Sequence, residues 1–206
     1  MFFSLFLCTF VAMMTTKHIK MRNFLCVILL AIAACAEARE WKVAEVKDII
    51  RRVNTCWQQN HPAEVRAFWD NAAYHTGNVE AFKLLRDQQM LDYSIRWAEH
   101  NHWQGATETD SSKWKYHRYG EGQDYVLFGD WQICFQTYID LYHIGYRKGQ
   151  DSKFKVQRAL EVMGYEADSK AHDYWWWADA LYMVMPVMTK LYLLTGDVKY
   201  LDKLYE

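Results

Sequence analysis

Leu191-Tyr192-Leu193-Leu194-Thr195-Gly196-Asp197-Val198-Lys199-Tyr200-Leu201 decides the fold. An apolar helical run ends at Thr195, Gly196 supplies the left-handed conformation that closes a helix, and Asp197 offers a side-chain oxygen to cap the next one. The consequence is a tight helical hairpin. Upstream, Thr76-Gly77-Asn78-Val79 repeats the pattern between two further apolar runs and predicts a second hairpin turn. Repeated hairpins bury their inner faces by stacking on neighbours, which argues for a solenoid or a closed α/α toroid, with a plain helical bundle as the alternative.

Periodicity outward from these turns is helical almost throughout. Val43, Val46, Ile49, Ile50 and Val53 recur at spacings of three and four, and so do Phe82, Leu85, Met90, Tyr93 and Trp97 after a small slip. Further helices are expected over about 62–75, 129–144, 152–163, 175–194 and from Asp197 to the end, with Pro62 suited to a first helical turn. No stretch alternates with period two long enough to argue for a sheet. The last run, with Val198, Leu201 and Leu204 on one face, reaches Glu206 without a capping glycine. The expectation is therefore an all-α chain that looks like roughly the front half of a longer protein, an incomplete toroid if its hairpins close into a ring.

Composition narrows the function classes. Lys and Arg number 24 against 25 Asp and Glu, with no long basic run, so the electrostatic footprint of a nucleic-acid binder is missing. The chain holds 10 Trp, 14 Tyr and 10 Phe beside only 2 Pro, which suggests helices lined with aromatic rings.

The first forty residues read as targeting sequence. Met21-Arg22-Asn23 is a short positive start, and Phe24 to Ala34 is an apolar core of signal-peptide length. Cleavage after Ala38 fits the small residues Ala36 and Ala38. Ile32-Ala33-Ala34-Cys35 alternatively fits a bacterial lipobox, with Cys35 lipidated and attached to a membrane. Both imply export, to the periplasm or as an outer-membrane lipoprotein. Residues 1–20 carry a second apolar run, which reads as a start assigned too early, with Met21 the beginning, or as an extra leader. Only Cys56 and Cys134 lie beyond this region. A bridge between them is permitted by an oxidising compartment, but two cysteines at helical positions are more often plain thiols. No zinc-type spacing occurs, His100 and His102 fall on different helix faces, and no cofactor or metal is expected.

Two constellations could carry chemistry. In His172-Asp173-Tyr174-Trp175-Trp176-Trp177-Ala178-Asp179-Ala180-Leu181-Tyr182-Met183 a ring-rich loop runs into a helix, and Asp179 lies one turn from Trp175, Trp176, Tyr182 and Met183. A carboxyl among such rings loses water, which raises its pKa and suits it to general acid work. The rings of Trp175, Trp176 and Trp177 suit the apolar faces of sugars, and His172, Tyr182 and Met183 are further candidate substrate contacts. The plain alternative is a helix-start Asp favouring the dipole, above core tryptophans. In Gly129-Asp130-Trp131-Gln132-Ile133-Cys134-Phe135-Gln136-Thr137-Tyr138-Ile139-Asp140-Leu141-Tyr142, Asp130 opens a helix, with Trp131 and Gln132 as candidate contacts. Here the plain alternative is an N-cap at Asp130 and a buried amide at Gln136 bonded to a neighbouring helix.

At these residues the chain resembles the unsaturated glucuronyl and rhamnogalacturonyl hydrolases of glycoside hydrolase families 88 and 105, from about Trp41 to its end. The match lies in Trp177-Ala178-Asp179-Ala180-Leu181-Tyr182-Met183, continuing through Pro186 to Thr195-Gly196-Asp197, and in the pattern of Asp130, Gln132 and Gln136 to Tyr142. The resemblance implies an (α/α)6 toroid and a substrate oligosaccharide ending in a 4,5-unsaturated uronic acid. It also implies that Asp179 is the acid/base that hydrates the vinyl ether, with Asp130 as companion carboxylate. Many relatives carry a second Asp where this chain has Trp131. Two other readings stand beside it: a non-catalytic sugar-binding α/α domain, and another α/α-toroid enzyme such as an epimerase or a conventional glycosidase.

Overall fold

A computed structural model describes residues 41–147, 149 and 152–206, so the expected leader, the lipobox at Cys35 and the cut after Ala38 lie outside the described residues. Among the described residues the regular structure is entirely helical. The helices are α1 (Val43–Asn60), α2 (Trp69–Leu85), α3 (Gln88–His100), the short α4 (Gly129–Gln132), α5 (Cys134–Tyr146), α6 (Phe154–Asp168), α7 (Asp179–Thr195) and α8 (Lys199–Tyr205). Helix α2 packs on α3 and α5, α5 packs on α6 and α7, and α8 closes on α7 and α6. This is the side-by-side hairpin arrangement of a partial α/α toroid.

The downstream turn forms as its residues predict. Gly196 adopts φ 74 and sends its N–H to the Tyr192 carbonyl, while an Asp197 carboxylate oxygen accepts from the Lys199 N–H at 3.1 Å. The upstream turn does not form. Helix α2 runs straight through Thr76-Gly77-Asn78-Val79, because Asn78 faces inward and its amide donates to the Met90 carbonyl (2.7 Å) and Ser94 Oγ (2.8 Å) on α3. Asn78 is a clamp between two helices rather than a cap. The chain reverses instead at Arg86, a non-glycine residue with φ 59, and Asp87 caps α3 by accepting from the Gln89 N–H. The slip in the apolar pattern between Leu85 and Met90 marks this reversal. Pro62 also departs from expectation: residues 62–68 are irregular, and the helix placed there begins at Trp69.

The core is held by stacked rings. Trp97, fully buried on α3, lies on the His75 ring of α2 with centroids 4.0 Å apart, and it meets Tyr138 of α5 at 5.4 Å. Burial lowers the His75 pKa to about 3, so the imidazole sits neutral in the stack, with Nδ1 and Ser94 Oγ 3.0 Å apart. Cys134 is buried, Cys56 is exposed, and both are free thiols, so the two are not bridged.

Candidate active site

Helix α7 contains Pro186, which has no N–H to offer the Tyr182 carbonyl one turn earlier. Gln136 of α5 fills the gap, its amide donating to the carbonyls of Tyr182 (2.8 Å) and Met183 (3.0 Å). The buried amide bonded to a neighbouring helix is therefore what Gln136 is. It fixes the first turns of α7 against α5. Gly129 lets α4 come equally close, since a Cβ there would stand 3.1 Å from the Trp177 ring and 3.3 Å from Val184. Two helix starts are thus pressed together, with Asp130 in the first turn of α4 and Asp179 in the first turn of α7.

Both carboxylates line one pocket of about 620 Å³. Trp176, Trp177, Tyr182 and Met183 form the α7 side of it, joined by Trp69, Tyr119 and Phe128 from the other side. Trp177 leans on Phe128 with ring centroids 4.6 Å apart, and Trp176 is half exposed at the mouth, its indole donating to the Tyr116 carbonyl at 3.1 Å.

The other expected contacts lie elsewhere. Trp131 is buried against the Phe68 ring at 4.8 Å, because the short α4 turns it into the core. Gln132 is fully buried and donates to the Val126 carbonyl (3.2 Å) and to Glu166 (2.7 Å). Trp175 packs against the core, and His172 is exposed beside Glu206 at 3.2 Å. Trp69, Tyr119 and Phe128 were not singled out from the sequence. Trp69 opens a helix whose start was misplaced, and Tyr119 sits in a loop with no periodicity to read.

Electrostatics also divides differently from expectation. Asp179 is exposed at the pocket, whereas Asp130 is buried, and it is Asp130 that is raised to about 6. Burial is the largest cause, followed by the Asp179 charge and then by Glu121 and Asp70. The neighbouring carboxylates thus add to burial in favouring the protonated form of Asp130. A second perturbed carboxyl, Glu166, is pushed up to about 8 by complete burial beside Gln132.

Both shifts have a stability consequence. Raised from 3.8 and 4.5, these carboxyls favour the fold while protonated; that contribution is complete below about pH 4 and is lost as pH rises through about 6 and then about 8. Urea midpoints should therefore fall across that window. Asp130→Asn should flatten the limb near pH 6 and leave the one near pH 8; an unchanged profile in the variant would show that Asp130 does not cause it.

The α4 start is positioned from below by Gly105. Two left-handed residues, His102 (φ 52) and Trp103 (φ 60), turn the chain after α3 so that Gly105 meets the Trp131 carbonyl. A Cβ at Gly105 would lie 2.2 Å from that oxygen. Gly105→Ala should destabilise the fold by about 3 kcal/mol, the upper end for overpacking. The melting midpoint should then drop by roughly 6–12 °C, and a midpoint within a degree of wild type would contradict the contact.

Stacked hairpins that gather two carboxylates and several rings at one end make this chain part of an α/α-toroid domain. Residues 41–206 match Glycosyl Hydrolase Family 88, and the chain belongs to that family. Among solved structures it is similar to a protein named as a polysaccharide lyase, at 57% identity and TM-score 0.74, covering 79% of this chain and 44% of that one. It is also similar to a glycosyl hydrolase family 88 protein from Bacteroides vulgatus, at 51% identity and TM-score 0.74, covering 79% of this chain and 45% of that one. The chain thus spans less than half the length of these two relatives. No match is found among curated proteins.

Proposed function

We propose that this chain supplies the acid/base half of an enzyme that removes a 4,5-unsaturated uronic acid from the non-reducing end of lyase-generated oligosaccharides. The observation that carries the reading is the pairing of buried Asp130 with open Asp179 in one aromatic-walled pocket. Asp179, the more exposed of the two, gives its proton to C4 of the vinyl ether. Water adds at C5 and returns a proton to the Asp179 carboxylate. The resulting hemiketal opens, and the neighbouring sugar leaves with its bond to C1 broken. Buried Asp130 stands beside it as the companion carboxylate that positions the sugar. Hydration of a double bond does not depend on the carboxylate spacing that separates retaining from inverting glycosidases. Trp176 and Trp177 offer ring faces to the sugar. The leader sequence supports export, with Cys35 or the bond after Ala38 as the processing point.

The name of one structural relative favours a second reading, β-elimination, in which a base removes the C5 proton, the C4–O glycosidic bond breaks and the leaving oxygen takes up a proton, so that a C4=C5 double bond remains. Absorbance of the conjugated uronate separates the two. Hydration makes it fall on an unsaturated disaccharide, elimination makes it rise on an intact polyuronide, and a conventional glycosidase or a binding domain leaves it unchanged.

A further inference from the structure

The loop from Trp114 to Phe128 is irregular in backbone but pinned at many points. Trp114 Nε1 donates to the Glu108 carbonyl at 2.9 Å, the Lys115 N–H donates to the Asp124 carbonyl at 2.8 Å, and the Lys115 ammonium pairs with the Asp124 carboxylate. The Tyr116 hydroxyl donates to Asp173 at 3.0 Å. Gly120 lies on the face of Tyr125, where a Cβ would stand 2.1 Å from the ring. Of the large hydrophobic side chains in this loop, one is left open. Tyr119 is 58% exposed and lines the same pocket as Asp130 and Asp179. A ring presented by an already ordered loop loses little conformational freedom when a ligand arrives.

The Tyr119 hydroxyl is also aimed. It donates to Glu121, whose other carboxylate oxygen accepts from Arg66 at 2.5 Å. Arg66 reaches Asp70 at 3.1 Å, and its guanidinium lies 4.6 Å from the centroid of Phe68, a fully buried ring. The chain of contacts therefore ends in the core. With its proton committed to Glu121, the Tyr119 oxygen keeps its lone pairs for an incoming donor. In the same pocket Asp130 and Asp179 supply acceptors as well, and a polyhydroxylated ligand is what offers donors to all three.

We propose that Tyr119 is a substrate-contacting residue that accepts a hydrogen bond from a sugar hydroxyl, and that Glu121 and Arg66 are positioning residues that aim it. This rests on the reading of the pocket as a saccharide site. The ring face packs on the sugar while the phenol oxygen selects for a hydroxyl directed at the loop, so Tyr119 sets which sugars fit.

The test is equilibrium binding by titration calorimetry. The probe is a saturated uronic-acid disaccharide, which has no double bond to hydrate, added to the whole chain and its variants. Tyr119→Phe should weaken binding about three- to tenfold, the value of one hydrogen bond, with an unchanged melting midpoint. Glu121→Ala should weaken it to a similar degree, and the double variant should be no weaker than the worse single one, because both remove the same contact. Unchanged binding in Tyr119→Phe, additive losses in the double variant, or no binding by wild type would each overturn the proposal. The reaction is judged apart from this by the uronate absorbance. Weakened binding without turnover would keep the role of Tyr119 and remove the reaction, whereas turnover with indifferent Tyr119→Phe binding would do the reverse.

Discussion

Asp179→Asn in the whole protein should lower kcat on an unsaturated uronide by ~10²–10⁴-fold while leaving KM nearly unchanged. The proton it delivers matters in the transition state rather than in substrate binding, so its removal falls on the chemical step. Asn keeps the shape and hydrogen bonding of the side chain and removes only the acid. Asp179 is exposed at the pocket, so the substitution disturbs no packing. Asp130→Asn should cost less, because the group that reaches the substrate is still present. Steady-state kinetics on both variants checks this, and an Asp179→Asn protein retaining more than about a tenth of wild-type kcat would make Asp179 an ordinary helix-start residue.

Trp97→Ala should produce the largest loss of stability, about 3–5 kcal/mol, from lost transfer energy and the cavity left behind. Trp97 is fully buried and joins three helices through His75 and Tyr138. Its removal also strips the buried His75 imidazole of its nearer stacking partner, leaving only Tyr93 at 5.5 Å. A denaturant titration should show the loss, and a midpoint close to wild type would mean that the stack is not the hub of the core.

The helical class and the hairpin at Gly196 were legible because glycine in the left-handed region and an Asp cap are local chemistry written in adjacent residues. The Thr76-Gly77-Asn78-Val79 turn was misread because the same residue types served a tertiary purpose: Asn78 binds α3 across the helix interface, and no local rule distinguishes a cap from a clamp. The true reversal at Arg86 carried no glycine to announce it. At the site, Asp130, Asp179, Trp176, Trp177, Tyr182 and Met183 meet in one pocket, whereas Trp131, Gln132, Trp175 and His172 do not. Neighbours in sequence diverge there because α4 is one turn long, so Asp130 faces the pocket while Trp131 and Gln132 face the core. The rings of Trp69, Tyr119 and Phe128 could not be read at all, since only the fold brings a loop and a distant helix start to the same place.

Coupling of the two helix starts is tested most directly by following the Asp130 side-chain carboxyl carbon through a pH titration by NMR, in the wild type and in Asp179→Asn. The midpoint should lie near 6 in the wild type and lower in the variant, because the neighbouring charge that helps to raise it is gone. A wild-type midpoint at the ordinary 3.8, or one that does not move when Asp179 is replaced, would contradict the coupling of the two carboxylates at this site.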